Sequence, residues 1–127
     1  MSTNLEKIEE YIKKQAEVFL LELGTFYPFG CAINKVEEVI PLGAYLEGEN
    51  PSVPELIDLL ENSINQKLNN DDEYLLAAIA TDVTIKKDGI GLDAVEIRVF
   101  EKNKEQDKRY VKFIIKDSFV EFVPADL

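Results

Sequence analysis

The sequence predicts an α+β fold in which two helices pack on one face of an antiparallel sheet of five or six strands. Apolar residues recur at helical spacing in two segments, and apolar and polar residues alternate in several segments of the C-terminal half. The strand-like segments are grouped before and after the second helix, which is typical of α+β folds. The predicted order is α-β-β-α-β-β-β, with an optional last strand. A length of 127 residues suits one domain over 1–127.

The first predicted helix begins at Thr3 and ends at Gly24. Thr3 and Glu6 have the spacing of a capping box, and glycine suits the left-handed position that follows a helix. Apolar residues at helical spacing predict one buried stripe, formed by Leu5, Ile8, Ile12, Ala16, Phe19 and Leu23.

A hairpin is predicted next, with strands over residues 29–33 and 39–47 joined by the sequence NKVEE. Pro28 suits the first residue of a strand because proline has no N–H to donate to a sheet. For the same reason Pro41 indicates that the second strand lies at a sheet edge or contains a bulge. A loop over 48–54 then leads into the second helix.

The second predicted helix begins at Ser52, which forms another capping box with Glu55. Pro54 falls in the first turn, where a missing N–H costs nothing. The segment NNDDE at 69–73 ends the helix. Its buried stripe is predicted from four apolar residues, Ile57, Leu60, Ile64 and Leu68.

The C-terminal half predicts a meander with strands over 74–86, 93–101, 109–116 and 119–123. The segment EYLLAAIA could instead continue the helix, because alanine and leucine favour helix, although Thr81 and Val83 favour strand. As a strand, LLAAIA is apolar on both faces. With both helices on one face, the other face must be covered by a loop or by another copy of the chain, and we predict a homodimer.

Composition limits the classes of function. The chain has no histidine, so it lacks an imidazole base and a histidine metal ligand. Its acidic residues match no EF-hand spacing, and we predict no metal, no cofactor and no enzymatic activity. One cysteine, the absence of an apolar leader and the absence of a membrane-length apolar run predict a cytoplasmic protein that does not enter membranes.

The net charge of −11 predicts the kind of partner. An acidic surface repels nucleic acid and attracts a basic protein. The candidate partner-binding surface consists of carboxylates on and before the second helix, namely Glu47, Glu49, Glu55, Asp58 and Glu61. The alternative interpretation is a solvated helix face that only keeps the protein soluble.

The sequence GTFYPFGCAIN, residues 24–34, has two interpretations. Phe26, Tyr27 and Phe29 could form a core corner in which Gly30 permits close approach of another backbone, or they could line a pocket. Asp82 interrupts an apolar strand, and it could form a structural ion pair with Arg98 or Lys112 on neighbouring strands, or it could contact a ligand. The candidate pocket therefore comprises Phe26, Tyr27, Phe29 and Asp82.

The layout of a helix, FYPFG opening a hairpin, a second helix and AAIATDV leading into a meander resembles small acidic bacterial proteins. Some of these are uncharacterised and others are assigned as immunity proteins of toxin systems. The matching motifs are residues 26–30 and 82–83. The resemblance implies a protein that docks on a basic partner, and it supplies no active-site residues.

The predicted function is therefore a non-enzymatic protein-binding module that docks an acidic surface on a basic partner. One alternative is a small-ligand-binding or enzymatic domain that uses a cleft near Tyr27 and Asp82. The other is a purely structural homo-oligomer.

Overall fold

The structure, a computed structural model, describes residues 3–43 and 52–124. In this part of the chain, neither helix combines the length with the apolar character needed to traverse a bilayer. The predicted α+β class and element order are confirmed. The elements are α1 (Asn4–Leu23), β1 (Phe29–Asn34), β2 (Val39–Leu42), α2 (Val53–Asn65), a π-helical turn (Gln66–Asn70), β3 (Tyr74–Lys87), β4 (Ile90–Phe100), β5 (Asp107–Ile115) and β6 (Val120–Pro124).

The six strands form one curled antiparallel sheet in the order β2-β1-β3-β4-β5-β6. The hairpin β1–β2 therefore joins the meander through pairing of β1 with β3, in which Cys31 lies opposite Ala78. Pro41 lies in the edge strand β2, opposite Cys31, and its predicted edge position is confirmed. Residues 44–47 of the predicted second strand lie outside the described residues.

Both predicted helix starts are confirmed. The Thr3 hydroxyl accepts a hydrogen bond of 3.1 Å from the Glu6 N–H, and the Ser52 hydroxyl accepts one of 3.2 Å from the Glu55 N–H. Gly24 has a φ of 75° and ends α1 as predicted. Both helix starts and the end of α1 thus lie where the local sequence satisfies the terminal backbone groups, whereas α2 continues directly into the π-helical turn.

The two helices lie on opposite faces of the sheet, so the prediction that both pack on one face is wrong. Neighbouring residues of a strand point to opposite faces. Both β1 and β3 are apolar at successive positions, and each face therefore offers a helix a surface to bury. The α1 side buries Ile8, Ile12, Ala16 and Leu20 with Cys31, Ala78, Ala80 and Ile97. The α2 side buries Leu60, Ile64 and Leu68 with Ala32, Ala77, Ile79 and Phe100.

The position of α2 removes the reason given for a homodimer. The homodimer is predicted from a second face of LLAAIA that no helix covers. Ala77 and Ile79 on this face are instead buried against α2 and the π-helical turn. The second face is covered by the chain itself. A homodimer remains a prediction without this support.

Candidate functional site

A cleft of about 510 Å³ lies where α1 ends and the chain enters β1. Its volume falls within the range of small-molecule and side-chain binding pockets. The rings of Phe19, Phe26 and Phe29 form much of its wall. The cleft is therefore apolar over most of its surface.

The three phenylalanines form one packed aromatic cluster. The Phe29 ring lies 5.6 Å from that of Phe19 and 5.4 Å from that of Phe26, centre to centre, and both pairs are edge-to-face. Such pairs add stability beyond the area they bury. Phe26 and Phe29 are buried and belong to the core under α1. The two interpretations of this segment coincide, because the core corner is also the wall of a cleft.

Apolar side chains at the rim of the cleft are exposed. Leu23 at the end of α1 is 70% exposed, Tyr27 is 64% exposed and Val53 at the start of α2 is 41% exposed. All three line the cleft. An apolar wall with an exposed apolar rim is a surface that another molecule can cover.

Asp82 is the one carboxylate among the described residues that line the cleft. It lies in β3 opposite Val95, and its Oδ2 accepts a hydrogen bond of 2.6 Å from the Thr25 hydroxyl. The ion pair predicted with Arg98 or Lys112 is absent. The strand register places those two side chains on the α2 side of the sheet, whereas Asp82 faces the α1 side.

The cleft brings together all four residues of the predicted pocket, Phe26, Tyr27, Phe29 and Asp82. Sequence reasoning missed Thr25 as the partner of Asp82, because 57 residues separate them and no local pattern links them. It also missed Val53, whose position at the cleft depends on where α2 lies.

The predicted acidic surface is described only in part. Glu55 and Asp58 are exposed on α2, and Glu61 is partly buried. Among the described residues, no lysine or arginine forms an ion pair with any of the three. Glu47 and Glu49 lie outside the described residues.

A largely buried polar cluster lies on the α2 side of the sheet, and its side chains form hydrogen bonds with one another. The Glu96 carboxylate accepts a hydrogen bond of 2.7 Å from the Arg98 Nε and one of 3.0 Å from the Tyr110 hydroxyl. Burial, and then the hydrogen bond to Glu96, raise the pKa of Tyr110. The phenol therefore stays protonated as a donor. The hydroxyl of Thr81, opposite Glu96, is buried and has no hydrogen-bond partner among the described residues.

Replacing Glu96 with alanine should destabilise the protein by about 2–3 kcal/mol, because Arg98 and Tyr110 would lose their shared acceptor in a largely buried site. Urea unfolding followed by circular dichroism measures the change. The matched variant is Thr81→Val, which removes a hydroxyl that bonds no group in the described part of the chain and should be neutral or stabilising. Equal losses in the two variants would contradict this account of the cluster.

A second cavity, of about 260 Å³, lies near the start of α1 and the β4–β5 turn. Four of the five charged side chains that line it form ion pairs with other described residues, the exception being Glu105. Arg109 pairs with Glu9 at 3.3 Å and with Asp107 at 3.2 Å, and Lys104 pairs with Glu101 at 3.2 Å. This cavity offers a ligand fewer unengaged groups than the aromatic cleft.

The single thiol is not available as a nucleophile. Cys31 is fully buried in β1, and burial raises the pKa of its thiol to about 12. A thiolate is the reactive form of cysteine, so this group is inert at neutral pH. Within residues 3–43 and 52–124, no three acidic or cysteine side chains are grouped so that they could hold a metal ion.

We expect Cys31 in the native protein to react with iodoacetamide at pH 8 at least roughly a hundredfold more slowly than in denaturant, because its thiolate is scarce and shielded. Mass spectrometry of timed samples measures the rate. The control is the unfolded protein, which should take up one label per chain. Equal rates in the two states would show that β1 opens readily.

No protein-family model matches this chain, and neither curated proteins nor solved structures include a significant match. The resemblance to immunity proteins of toxin systems therefore stays a prediction. The geometry of the cleft and of α2 supports the functional argument instead.

Proposed function

We propose that this protein is a non-enzymatic binding domain that docks on a basic protein partner. The contact surface comprises the aromatic cleft and the adjoining acidic face of α2. The observation that carries the proposal is the cleft of about 510 Å³, with buried aromatic walls, exposed apolar rim residues and one carboxylate.

The arrangement fits the anatomy of a protein interface. Interfaces have an apolar centre, often with an aromatic residue, surrounded by a polar rim, and a few central side chains supply most of the binding energy. Tyr27 and Leu23 project an exposed apolar surface beside the cleft. A partner side chain that enters the cleft would cover this surface and the buried aromatic wall together.

The helix that carries the acidic residues, α2, begins at the edge of the cleft. Val53 lines the cleft and is also the first residue of α2. Residues 52–66 contain three acidic residues and no lysine or arginine. With a net charge of −11, the protein should attract a basic partner over a distance and steer its approach. The docking of an immunity-type protein on a basic toxin would be one instance, as the resemblance implies.

The test is affinity capture from the native cell lysate, followed by association kinetics with the captured basic protein. Replacing Asp58 and Glu61 with lysine should slow association about tenfold at low ionic strength and flatten its salt dependence. Glu55 is kept, because its carboxylate accepts a hydrogen bond of 3.1 Å from the hydroxyl of Ser52, the cap of α2. The control exchanges the distant exposed carboxylates Glu10 and Glu105 for lysine, with the same change in net charge.

Either of two outcomes would contradict the proposal. One is a capture that yields no basic protein at any salt concentration. The other is an association rate that falls equally in the α2 variant and in the control, because net charge alone would then explain it.

The same cleft supports a second candidate, a small-ligand site, since its volume suits a drug-sized molecule. In that case Tyr27→Phe should weaken ligand binding and leave the free energy of unfolding nearly unchanged, because Tyr27 is exposed. The structural homo-oligomer is tested by light scattering, in which a mass near the chain's 14.4 kDa would contradict it. A cytoplasmic location remains part of the proposal.

A further inference from the structure

We infer that the cleft selects a hydrophobic cation, namely a lysine or arginine of the partner next to an apolar side chain. The positive group would lie at Asp82 and the apolar group against the aromatic wall. This inference rests on the proposed function and names the chemistry that its contact surface recognises.

The carboxylate of Asp82 retains capacity for a cation. Its Oδ2 accepts one hydrogen bond, from the uncharged hydroxyl of Thr25, and its Oδ1 accepts none from the described residues. A half-buried carboxylate is favoured when a positive charge or several donors compensate its lost hydration. One neutral donor leaves most of that compensation to be supplied from outside.

The described chain supplies no positive charge to the cleft. No lysine or arginine is among the described residues that line it. The nearest basic residues along the neighbouring strands, Arg98 and Lys112, point to the opposite side of the sheet. Arg98 is moreover engaged by Glu96 at 2.7 Å. The negative charge of Asp82 is therefore left to interact with a ligand that enters the cleft.

The aromatic walls favour the same class of ligand. Aromatic faces attract cations, and aliphatic stems of lysine and arginine pack well on apolar surface while their charged ends reach a polar group. Tyr27 at the exposed rim and Phe26 within the wall offer these surfaces. A carboxylate or phosphate would meet Asp82 and a protein of net charge −11, so anions are disfavoured.

The test uses three blocked dipeptides whose second side chain is positive, neutral or negative: acetyl-Phe-Lys-amide, acetyl-Phe-Gln-amide and acetyl-Phe-Glu-amide. Each is titrated into the ¹⁵N-labelled full chain, and amide shifts are followed. We expect the lysine peptide to shift the amides of Thr25, Tyr27 and Asp82, with about tenfold tighter binding than the glutamine peptide. The glutamate peptide should bind most weakly.

Asp82→Asn should remove the preference for the lysine peptide and leave binding of the glutamine peptide unchanged. The matched control is Asp88→Asn in the β3–β4 turn, which removes the same charge at the far end of β3. Asparagine tolerates the left-handed backbone of this position, whose φ is 53°. The wild type provides a check that needs no variant. Raising sodium chloride from about 20 mM to about 500 mM should weaken only the lysine peptide.

Equal binding of the lysine and glutamine peptides would overturn the cation assignment and leave the cleft as an apolar contact site, as the proposed function requires. A preference for lysine that persists in Asp82→Asn would also overturn it. If none of the peptides shifts the cleft amides, both the inference and the role of the cleft in the proposed function fail.

Discussion

Replacing Gly30 with alanine should destabilise the protein by about 3 kcal/mol or more. A Cβ at this position would lie 2.7 Å from the backbone oxygen of Ala78 in β3. Rotation of a side chain cannot relieve this contact, because the obstructing atom belongs to the backbone of the paired strand. β1 and β3 would have to separate, and their interstrand hydrogen bonds would weaken. Urea unfolding followed by circular dichroism measures the loss.

The matched control is Gly43→Ala. A Cβ at Gly43 would have no heavy atom of the described residues within 4 Å, and the backbone there is not in the left-handed region. Its effect should stay within about 0.5 kcal/mol. If the two alanine variants were equally stable, the close approach of β1 and β3 at Gly30 would be contradicted.

The single variants Ile12→Ala and Ile64→Ala should each lose about 3–4 kcal/mol of unfolding free energy, because both side chains are fully buried and their truncation would leave cavities. Ile12 anchors α1 on one face of the sheet, and Ile64 anchors α2 on the other. Chemical denaturation of each single variant measures the cost. Losses under about 1 kcal/mol would contradict the packing of either helix.

Because the helices lie on opposite faces of the sheet, we also expect the stability losses of variants in the two helices to add. The milder variants Ile12→Val and Ile64→Val should cost about 1 kcal/mol each and add in the double variant to within about 0.5 kcal/mol. The two residues lie in separate clusters and share no described partner. A coupling energy well above about 0.5 kcal/mol would show that the helices contact each other.

Features with a local cause were predicted from the sequence and are confirmed. Thr3 and Ser52 cap their helices, Gly24 ends α1, and Pro41 lies in an edge strand. Each depends on the chemistry of one residue and its near neighbours in the chain. The strand boundaries differ from the predicted ones by a few residues. For β4 the strand begins at Ile90, because Ile90 pairs with Lys87 directly after the turn.

Features that depend on pairing between distant segments were not all predictable. The segment EYLLAAIA is a strand, because it pairs with β1 on one side and β4 on the other, whereas its composition alone also suits a helix. Its two apolar faces were recognised, but they were assigned to another copy of the chain rather than to α2. Periodicity shows that a face is buried and does not show what buries it.

The candidate site divides in the same way. Three aromatic residues around Pro28 and a carboxylate within an apolar strand are local features of the sequence, and they identified Phe26, Tyr27, Phe29 and Asp82. That they line one cleft follows from the β1–β3 pairing, in which Phe29 lies opposite Ala80, two residues before Asp82. Thr25 could not be identified, because its hydrogen bond spans the fold.

The sequence by itself determined the class of the fold, the order of its elements, the starts of both helices and the end of α1, since these follow from periodicity and capping within short segments. Only the tertiary structure decided which face each helix covers and which groups meet Asp82. Neighbouring residues of a strand point to opposite faces of the sheet, so a shift of one residue decides which face a side chain occupies. Hydrogen bonds between distant residues form only after the strands have paired.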